Sequence, residues 1–305
     1  MRIVFMGTPE IAATCLRRIV EDGHEIAAVY TKPDTPKGRG HKMMMSPVKM
    51  LALEKEIPVE QPVTFKDEAV ISALQAYRPE LIVAVAYGKI LPKTALDVPS
   101  KGCINIHGSI LPALRGSGPV QWSILNHFDE TGVTAMYLAE EMDAGDIIAI
   151  KKTPIDPMET SGELMDRIAL LGADLLSETV AAIENGTAER TPQDPALVTY
   201  APMLSKEMSP IDWSKTRREI IDQVRGLIPW PVATAELGGT KFKIFRVEPT
   251  GKTTDKAPGT LIALTKQGLE IACGGGEILQ ITQLQAEGGK RMAAPDYFRG
   301  HPIEI

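Results

Sequence analysis

Through the first two thirds of the chain, short apolar runs alternate with longer stretches of helical period. Ile3–Met6 predicts a strand, and Pro9 then opens a helix to about Glu21 in which Ile11, Cys15 and Ile19 fall on one stripe. Glu25–Tyr30 predicts a second strand. Leu81–Ala86, preceded by Arg78-Pro79-Glu80, is a continuous apolar run of the kind buried on both faces of a parallel sheet, and Gly102–His107 is another. Two further β-like runs are Gly132–Leu138 and Ile147–Lys151. Thr160-Ser161-Gly162-Glu163 reads as a capping box opening a helix whose Leu164, Ile168, Leu171, Leu175 and Ile183 line an apolar face. This order predicts an α/β fold: an open, mostly parallel Rossmann-like sheet with helices on both faces. Ligands are expected at the carboxyl ends of its strands.

After Gly186 the texture turns to Pro, Asn, Asp and Thr, through Asp194-Pro195 and Ala201-Pro202, which predicts a linker over residues 189–207. The chain then divides into a first domain, 1–188, and a second, 208–305. The second opens with a helix over Lys215–Leu227 that Pro229-Trp230-Pro231 ends. Five short β-like runs follow: Ala233–Leu237, Lys241–Val247, Gly259–Ala263, Gly268–Ala272 and Glu277–Gln283. Separated by turns rich in glycine, they predict a small OB-like β-barrel.

A chain of 305 residues, 44% hydrophobic and 24% charged, fits two ordinary globular domains. The apolar run at the N-terminus meets Gly7 at once, too short for a signal segment, and no later run approaches a membrane span. Three scattered cysteines, Cys15, Cys103 and Cys273, fit reduced thiols in the cytoplasm. The net charge of −6 argues against a protein that coats nucleic acid. It is uneven, however: residues 206–305 carry 14 basic against 12 acidic side chains, and the rest 19 against 27. That asymmetry fits domains with different partners, and equally fits ordinary variation of a solvated surface.

The first β–α turn, Gly7-Thr8-Pro9, lacks the spaced glycines of a dinucleotide fingerprint, and the chain has no Walker-type phosphate loop. His24, His41, His107, His127 and His301 are too dispersed to suggest a metal cluster, so no metal is expected. Chemistry is instead suggested by Asn105 and His107. Alternation puts Ile104 and Ile106 on one face of their strand and the amide and imidazole on the other, at a strand end that runs into a Gly/Ser/Pro loop. Such a pair can hold a developing oxyanion and move a proton, which points to acyl-group transfer. As a pair alone, the two also read as satisfied polar groups at a strand terminus. Asp143, in the turn Glu141-Met142-Asp143-Ala144-Gly145-Asp146, is placed either to orient the imidazole or simply to form the turn, the simpler role for Asp146.

Taken together, Asn105-Ile106-His107, Ser109-Ile110-Leu111-Pro112 and Asp143 resemble the signature of the formyltransferases that use 10-formyltetrahydrofolate. Within that group the chain is similar to the methionyl-tRNA formyltransferases along nearly its whole length. The similarity is carried by Phe5-Met6-Gly7-Thr8-Pro9, Thr31-Lys32-Pro33-Asp34, Gly38-Arg39-Gly40, Ser46-Pro47-Val48-Lys49, Val85–Pro92, Ile211-Asp212-Trp213-Ser214 and Arg225–Pro231. One departure is Ala113-Leu114, where the family shows a basic residue followed by an aromatic one.

The resemblance implies transfer of a formyl group from 10-formyltetrahydrofolate, released as tetrahydrofolate, to the α-amino group of initiator methionyl-tRNA. Asn105 would donate to the oxyanion, His107 would donate to it or shuttle the proton, and Asp143 would hold and polarise His107. Folate would lie against Ser109, Ile110, Leu111 and Pro112 and the turn Ala86-Tyr87-Gly88. A cationic loop bearing Lys37, Arg39 and Lys42 would reach the tRNA acceptor stem, although a loop of this composition also reads as simply solvated. Met43-Met44-Met45 is expected to anchor its base by packing. A second cationic run, Lys241, Lys243, Arg246 and Lys252 opposed by Glu248, suits phosphates on the barrel. No membrane and no obligate protein partner are expected. The rival classes are a formyltransferase acting on an amino-sugar nucleotide, which needs no cationic loop, and a non-enzymatic tRNA-binding protein, which needs no Asn/His/Asp set.

Overall fold

The computed structural model describes residues 1–37 and 42–305. Two compact units divide the chain: Met1–Pro119, Glu130–Thr153 and Met165–Ala201 form one, and Val120–Asp129, Pro154–Leu164 and Pro202–Ile305 the other. Among the described residues no helix is long and apolar enough to cross a membrane.

The first unit is built on a seven-stranded sheet. Its order is Ile147–Pro154, Glu130–Tyr137, Cys103–His107, Leu81–Val85, Arg2–Gly7, Glu25–Tyr30 and Val59–Glu60. The five strands from Cys103–His107 to Val59–Glu60 are parallel, and Glu130–Tyr137 pairs antiparallel to Cys103–His107. Helices cover both faces. Val4, Met6, Ile82, Ala84 and Cys103 share a core with Leu74 of the Glu68–Ala76 helix and with Ala95 of Lys93–Leu96. On the other face Gly172 of the Ser161–Asn185 helix lies against Ile106, where an added Cβ would stand 3.1 Å from the Ile106 side chain. Because Ile106 faces that helix, the alternation of the strand turns Asn105 and His107 to the opposite face. The helix read from Pro9 runs over Glu10–Glu21. The helices Pro47–Glu54 and Glu68–Ala76 lack a sequence signal as clear as the capping box at Thr160.

The second unit holds an antiparallel sheet in the order Ala233–Leu237, Thr240–Thr253, Glu277–Ala286, Leu269–Ala272 and Leu261–Leu264, with Met292–Ala293 paired to Glu277–Ala286. All five runs read from the sequence are strands here. The helix Arg217–Gly226 opens with a second capping box, Thr216 and Glu219. Its buried Asp222 accepts from Arg225 Nε at 2.6 Å and pairs with His127 Nδ1 at 2.6 Å. Arg225 in turn donates to the carbonyls of Asp156 and Glu159 at 2.9 and 3.1 Å. These bonds explain why residues 120–129 and 154–164 belong to the second unit although the sequence embeds them in the first. The capping box at Thr160 forms as read: Thr160 N donates to Glu163 at 2.8 Å and Glu163 N to Thr160 Oγ1 at 3.3 Å.

Two expectations change. Residues 191–201, read as part of a linker, pack within the first unit: Thr191 bridges Ile147, and Tyr200–Ala201 pairs with Arg115–Gly116. Polar, proline-rich texture marks irregular backbone, which here is tied down by long-range hydrogen bonds. Met43, Met44 and Met45, expected to pack, stand 57%, 48% and 46% exposed, on and just after a two-stranded hairpin of Thr35–Lys37 with Lys42–Met44.

Candidate active site

Asn105 and His107 lie on the Cys103–His107 strand, with Ala84 and Met136 as the register partners of Asn105. The Asn105 amide is half-buried and has no hydrogen-bond partner among the described residues. His107 is buried, and its Nε2 lies 2.9 Å from the Leu114 carbonyl. A carbonyl only accepts, so Nε2 carries the hydrogen and Nδ1 is the ring nitrogen left for chemistry. Asp143 Oδ2 stands 3.7 Å from Nδ1, an ion-pair separation beyond hydrogen-bond reach, and accepts instead from Gly116 N at 2.9 Å. The three residues read from the sequence are thus together, but the bond that holds the imidazole comes from Leu114.

Leu114 can do this because its own backbone is fixed. It adopts φ of 62°, is 1% exposed, and its N–H donates to Thr199 Oγ1 at 2.9 Å. At the position where the family resemblance calls for an aromatic residue, leucine is a core side chain, and the group that meets His107 is its main-chain carbonyl. The loop before it is braced from within: Ser109 Oγ donates to Ala113 O at 2.6 Å, and Thr134 Oγ1 donates to Ser109 O at 2.7 Å while accepting from Leu111 N at 3.1 Å. Of the four loop residues, Ser109 and Leu111 are therefore buried scaffold, and Ile110 and Pro112 keep partial exposure. Next to Asn105 in the sheet, the Leu81–Val85 strand ends in Ala86, exposed with φ of 46°, and Gly88, exposed with φ of 70°. Tyr87 between them is buried against Phe65, and burial pushes its phenol above the ordinary range. Its ring belongs to the core, so this turn offers a ligand its backbone rather than an aromatic face.

The Asp143 turn is held by residues that local sequence does not announce. Gln193 Nε2 donates to the carbonyls of Asp143 and Gly145, both at 2.8 Å, and its Oε1 accepts from Arg115 Nε and Nη2 at 3.1 and 2.9 Å. Arg115 is buried and also pairs with Glu141 at 3.1 Å.

Arg39 and the side chains of Lys37 and Lys42 lie outside the described residues. At the hairpin's base Asp34 accepts from Lys49 Nζ at 2.6 Å and from Gln61 Nε2 at 2.9 Å, which holds its carboxyl below the usual carboxylate range. On the antiparallel sheet of the second unit, Lys241 and Lys243 are exposed and alternate with buried Phe242 and Ile244. Arg246 pairs with Glu248 at 2.6 Å, and Lys252 pairs with the buried Glu270 at 2.7 Å. An irregularity in register at Phe245 brings that ring beside Arg246, with the Arg291 guanidinium 4.5 Å over it. Phe245, Arg246, Arg291 and Arg225 share a cleft of about 120 Å³. The sequence signal for Phe245 and Arg291 was weak, because neither sits in a cluster of like charge.

Residues 1–180 match the family described as formyl transferase, and residues 203–302 match the formyl transferase C-terminal domain. The chain belongs to the formyl transferase family. Among its relatives, the methionyl-tRNA formyltransferase of Geotalea uraniireducens is 46% identical over 99% of this chain and 96% of that protein. That of Bacillus velezensis is 45% identical over 99% and 96%. A solved N-formyltransferase from Helicobacter canadensis, in complex with folinic acid and dTDP-3-aminofucose, shares the fold with a TM-score of 0.69 at 20% identity, covering 92% of this chain and 98% of that one. HypX from Aquifex aeolicus, in complex with tetrahydrofolic acid, gives 0.65 at 19% identity over 98% of this formyl transferase, which spans 47% of that longer chain.

Proposed function

We propose that this formyl transferase moves the formyl group of 10-formyltetrahydrofolate to the α-amino group of initiator methionyl-tRNA. The chemistry rests on one observation: an amide and an imidazole nitrogen, neither with a hydrogen-bond partner among the described residues, share one face at the carboxyl end of a strand within the sheet. The acceptor rests on full-length similarity at 46% identity to a methionyl-tRNA formyltransferase, against 20% for an enzyme solved with an amino-sugar nucleotide.

The residues present suit a folate. Ala86 and Gly88 expose main-chain groups able to read the edge of a pterin, Ile110 and Pro112 offer apolar contact, and Asn105 keeps an unspent donor. Bound 10-formyltetrahydrofolate supplies the electrophilic formyl carbon. Asn105 Nδ2 donates to the formyl oxygen, where negative charge grows as the amine attacks. His107 Nδ1 takes the proton that the methionyl amine loses, the Asp143 carboxylate stabilises the resulting imidazolium through space, and the imidazolium gives that proton to N10 as the formyl C–N10 bond breaks, so that tetrahydrofolate leaves and the imidazole is neutral again. Nε2 stays bonded to Leu114 throughout, so the ring neither rotates nor changes the nitrogen it offers.

The first unit is the formyl-transfer domain in this reading, and the second supplies tRNA contacts through Lys241, Lys243 and Arg246. Phe245 and Arg291 add a stacked cation and ring to that face. Lys37, Arg39 and Lys42 supply the acceptor-stem contacts. The protein works in the cytoplasm, where charged initiator tRNA is used. The test is incubation with 10-formyltetrahydrofolate and either methionyl initiator tRNA or a dTDP-amino sugar. Formylmethionyl-tRNA as product supports the reading, and a formylated sugar or no product refutes it.

A further inference from the structure

Both halves of the His107–Asp143 pair are held by residues 191–201, a segment between the two family matches. Thr199 Oγ1 accepts from Leu114 N at 2.9 Å, and Leu114 O accepts from His107. Gln193 donates to the carbonyls of Asp143 and Gly145 at 2.8 Å each, and anchors itself on the buried Arg115. The Asp143 turn needs such a clamp. Asp143 has φ of 52°, in the left-handed region, and Gly145 lies so close to Tyr137 that a Cβ there would stand 1.8 Å from the Tyr137 carbonyl. Such a conformation persists only where its surroundings determine it. The turn is otherwise exposed at Glu141 and Met142.

We propose that Gln193 is a positioning residue of the formyl-transfer site, fixing the Asp143 carboxylate opposite His107 Nδ1 by clamping the 141–145 turn to Arg115. A glutamine suits this role because its amide both donates and accepts. Its nitrogen satisfies two carbonyls while its oxygen satisfies a guanidinium, which neither glutamate nor lysine can do. Glutamate at this position would keep the contact to Arg115 but set an oxygen against two carbonyl oxygens. The charged groups of the cluster are Arg115, Glu141 and Asp143. The proposal rests on the formyl-transfer reading for its kinetic arm only.

The experiment compares wild type, Gln193→Glu, Gln193→Ala, Asp143→Asn and the Gln193→Glu/Asp143→Asn double variant. With 10-formyltetrahydrofolate and methionyl initiator tRNA, Gln193→Glu should lower kcat by about 10–10²-fold, the cost of a misplacement near 1 Å, with KM for both substrates within about threefold. The double variant should be no slower than Asp143→Asn beyond about threefold, because Gln193 acts through Asp143. An effect confined to KM, a kcat within threefold of wild type, or a double variant whose deficit equals the product of the single deficits would overturn the proposal. A second arm needs no turnover. The imidazole nitrogen NMR shifts of His107, at fixed pH and without substrates, should move in Gln193→Glu in the direction that Asp143→Asn moves them. Unmoved shifts overturn the clamp even if the functional reading stands, and moved shifts support it even if methionyl-tRNA proves to be the wrong acceptor. Should Gln193→Ala fail to fold, the nearly isosteric Gln193→Glu carries both arms.

Discussion

The His107 imidazole is tethered by a main-chain oxygen, that of Leu114, 2.9 Å from Nε2, while the Asp143 carboxylate stands 3.7 Å from Nδ1. In a Ser-His-Asp triad the carboxylate fixes the tautomer, and its conversion to an amide costs about 10⁴ in kcat. Here Leu114 already fixes the tautomer, which in the proposed mechanism leaves Asp143 to stabilise charge. Asp143→Asn is therefore expected to lower kcat by about 10–10²-fold with little change in either KM, measured by steady-state formylation. A drop near 10⁴ would show that the carboxylate sets the ring state after all.

The three cysteines are expected to be inert in the folded protein. All are buried, and burial pushes the thiols of Cys15 and Cys103 up to about 12 and raises that of Cys273. Since the thiolate is the reactive form, titration with a thiol reagent at pH 8 should find no fast-reacting group in the native protein and three after unfolding in urea. A native thiol reacting at the rate of free cysteine would contradict the packing at that residue.

A pH effect on stability follows from Asp34. Its carboxyl is held below the ordinary value by hydrogen bonds from Lys49 and Gln61. A depressed folded value means that the contribution is fully present above the unfolded value of about 3.9 and is lost as pH falls through the folded one. Asp34→Asn should thus lower the urea midpoint at pH 7, with the gap to wild type closing below about pH 4. The pair is solvent-screened, so the effect is small. A gap that stays constant or widens in acid would be inconsistent with this ion pair.

For tRNA, the triple variant Lys37→Ala/Arg39→Ala/Lys42→Ala and the double variant Lys241→Ala/Lys243→Ala should each raise KM for methionyl-tRNA and leave folate binding nearly unchanged. For every phosphate that a variant no longer neutralises, the plot of log affinity against log salt should flatten by roughly 0.7–0.9. An unchanged slope in either variant removes that patch from the tRNA surface.

The strand elements were legible because burial writes itself into sequence. Leu81–Val85 is apolar throughout, being covered on both faces, and the alternation at Cys103–His107 puts Asn105 and His107 on one face of their strand. The capping box at Thr160 and the five strands of the second unit's sheet follow from equally local rules. What stayed hidden depends on main chain or on distance. The Leu114 carbonyl carries no side-chain signature, and Gln193 meets Asp143 across 50 residues and Arg115 across 78. The segment around Gln193 has the composition of a linker because its order comes from hydrogen bonds to other parts of the chain, and those leave no periodicity.

The most direct measurement is single-turnover formylation of methionyl initiator tRNA by excess enzyme, wild type against Asn105→Ala. The Asn105 amide has no other partner among the described residues, so its removal should leave the fold and folate binding nearly unchanged while slowing transfer by about 10²–10³-fold, the usual cost of one oxyanion donor. Transfer by Asn105→Ala within threefold of wild type would contradict the placement of the chemistry at this strand end.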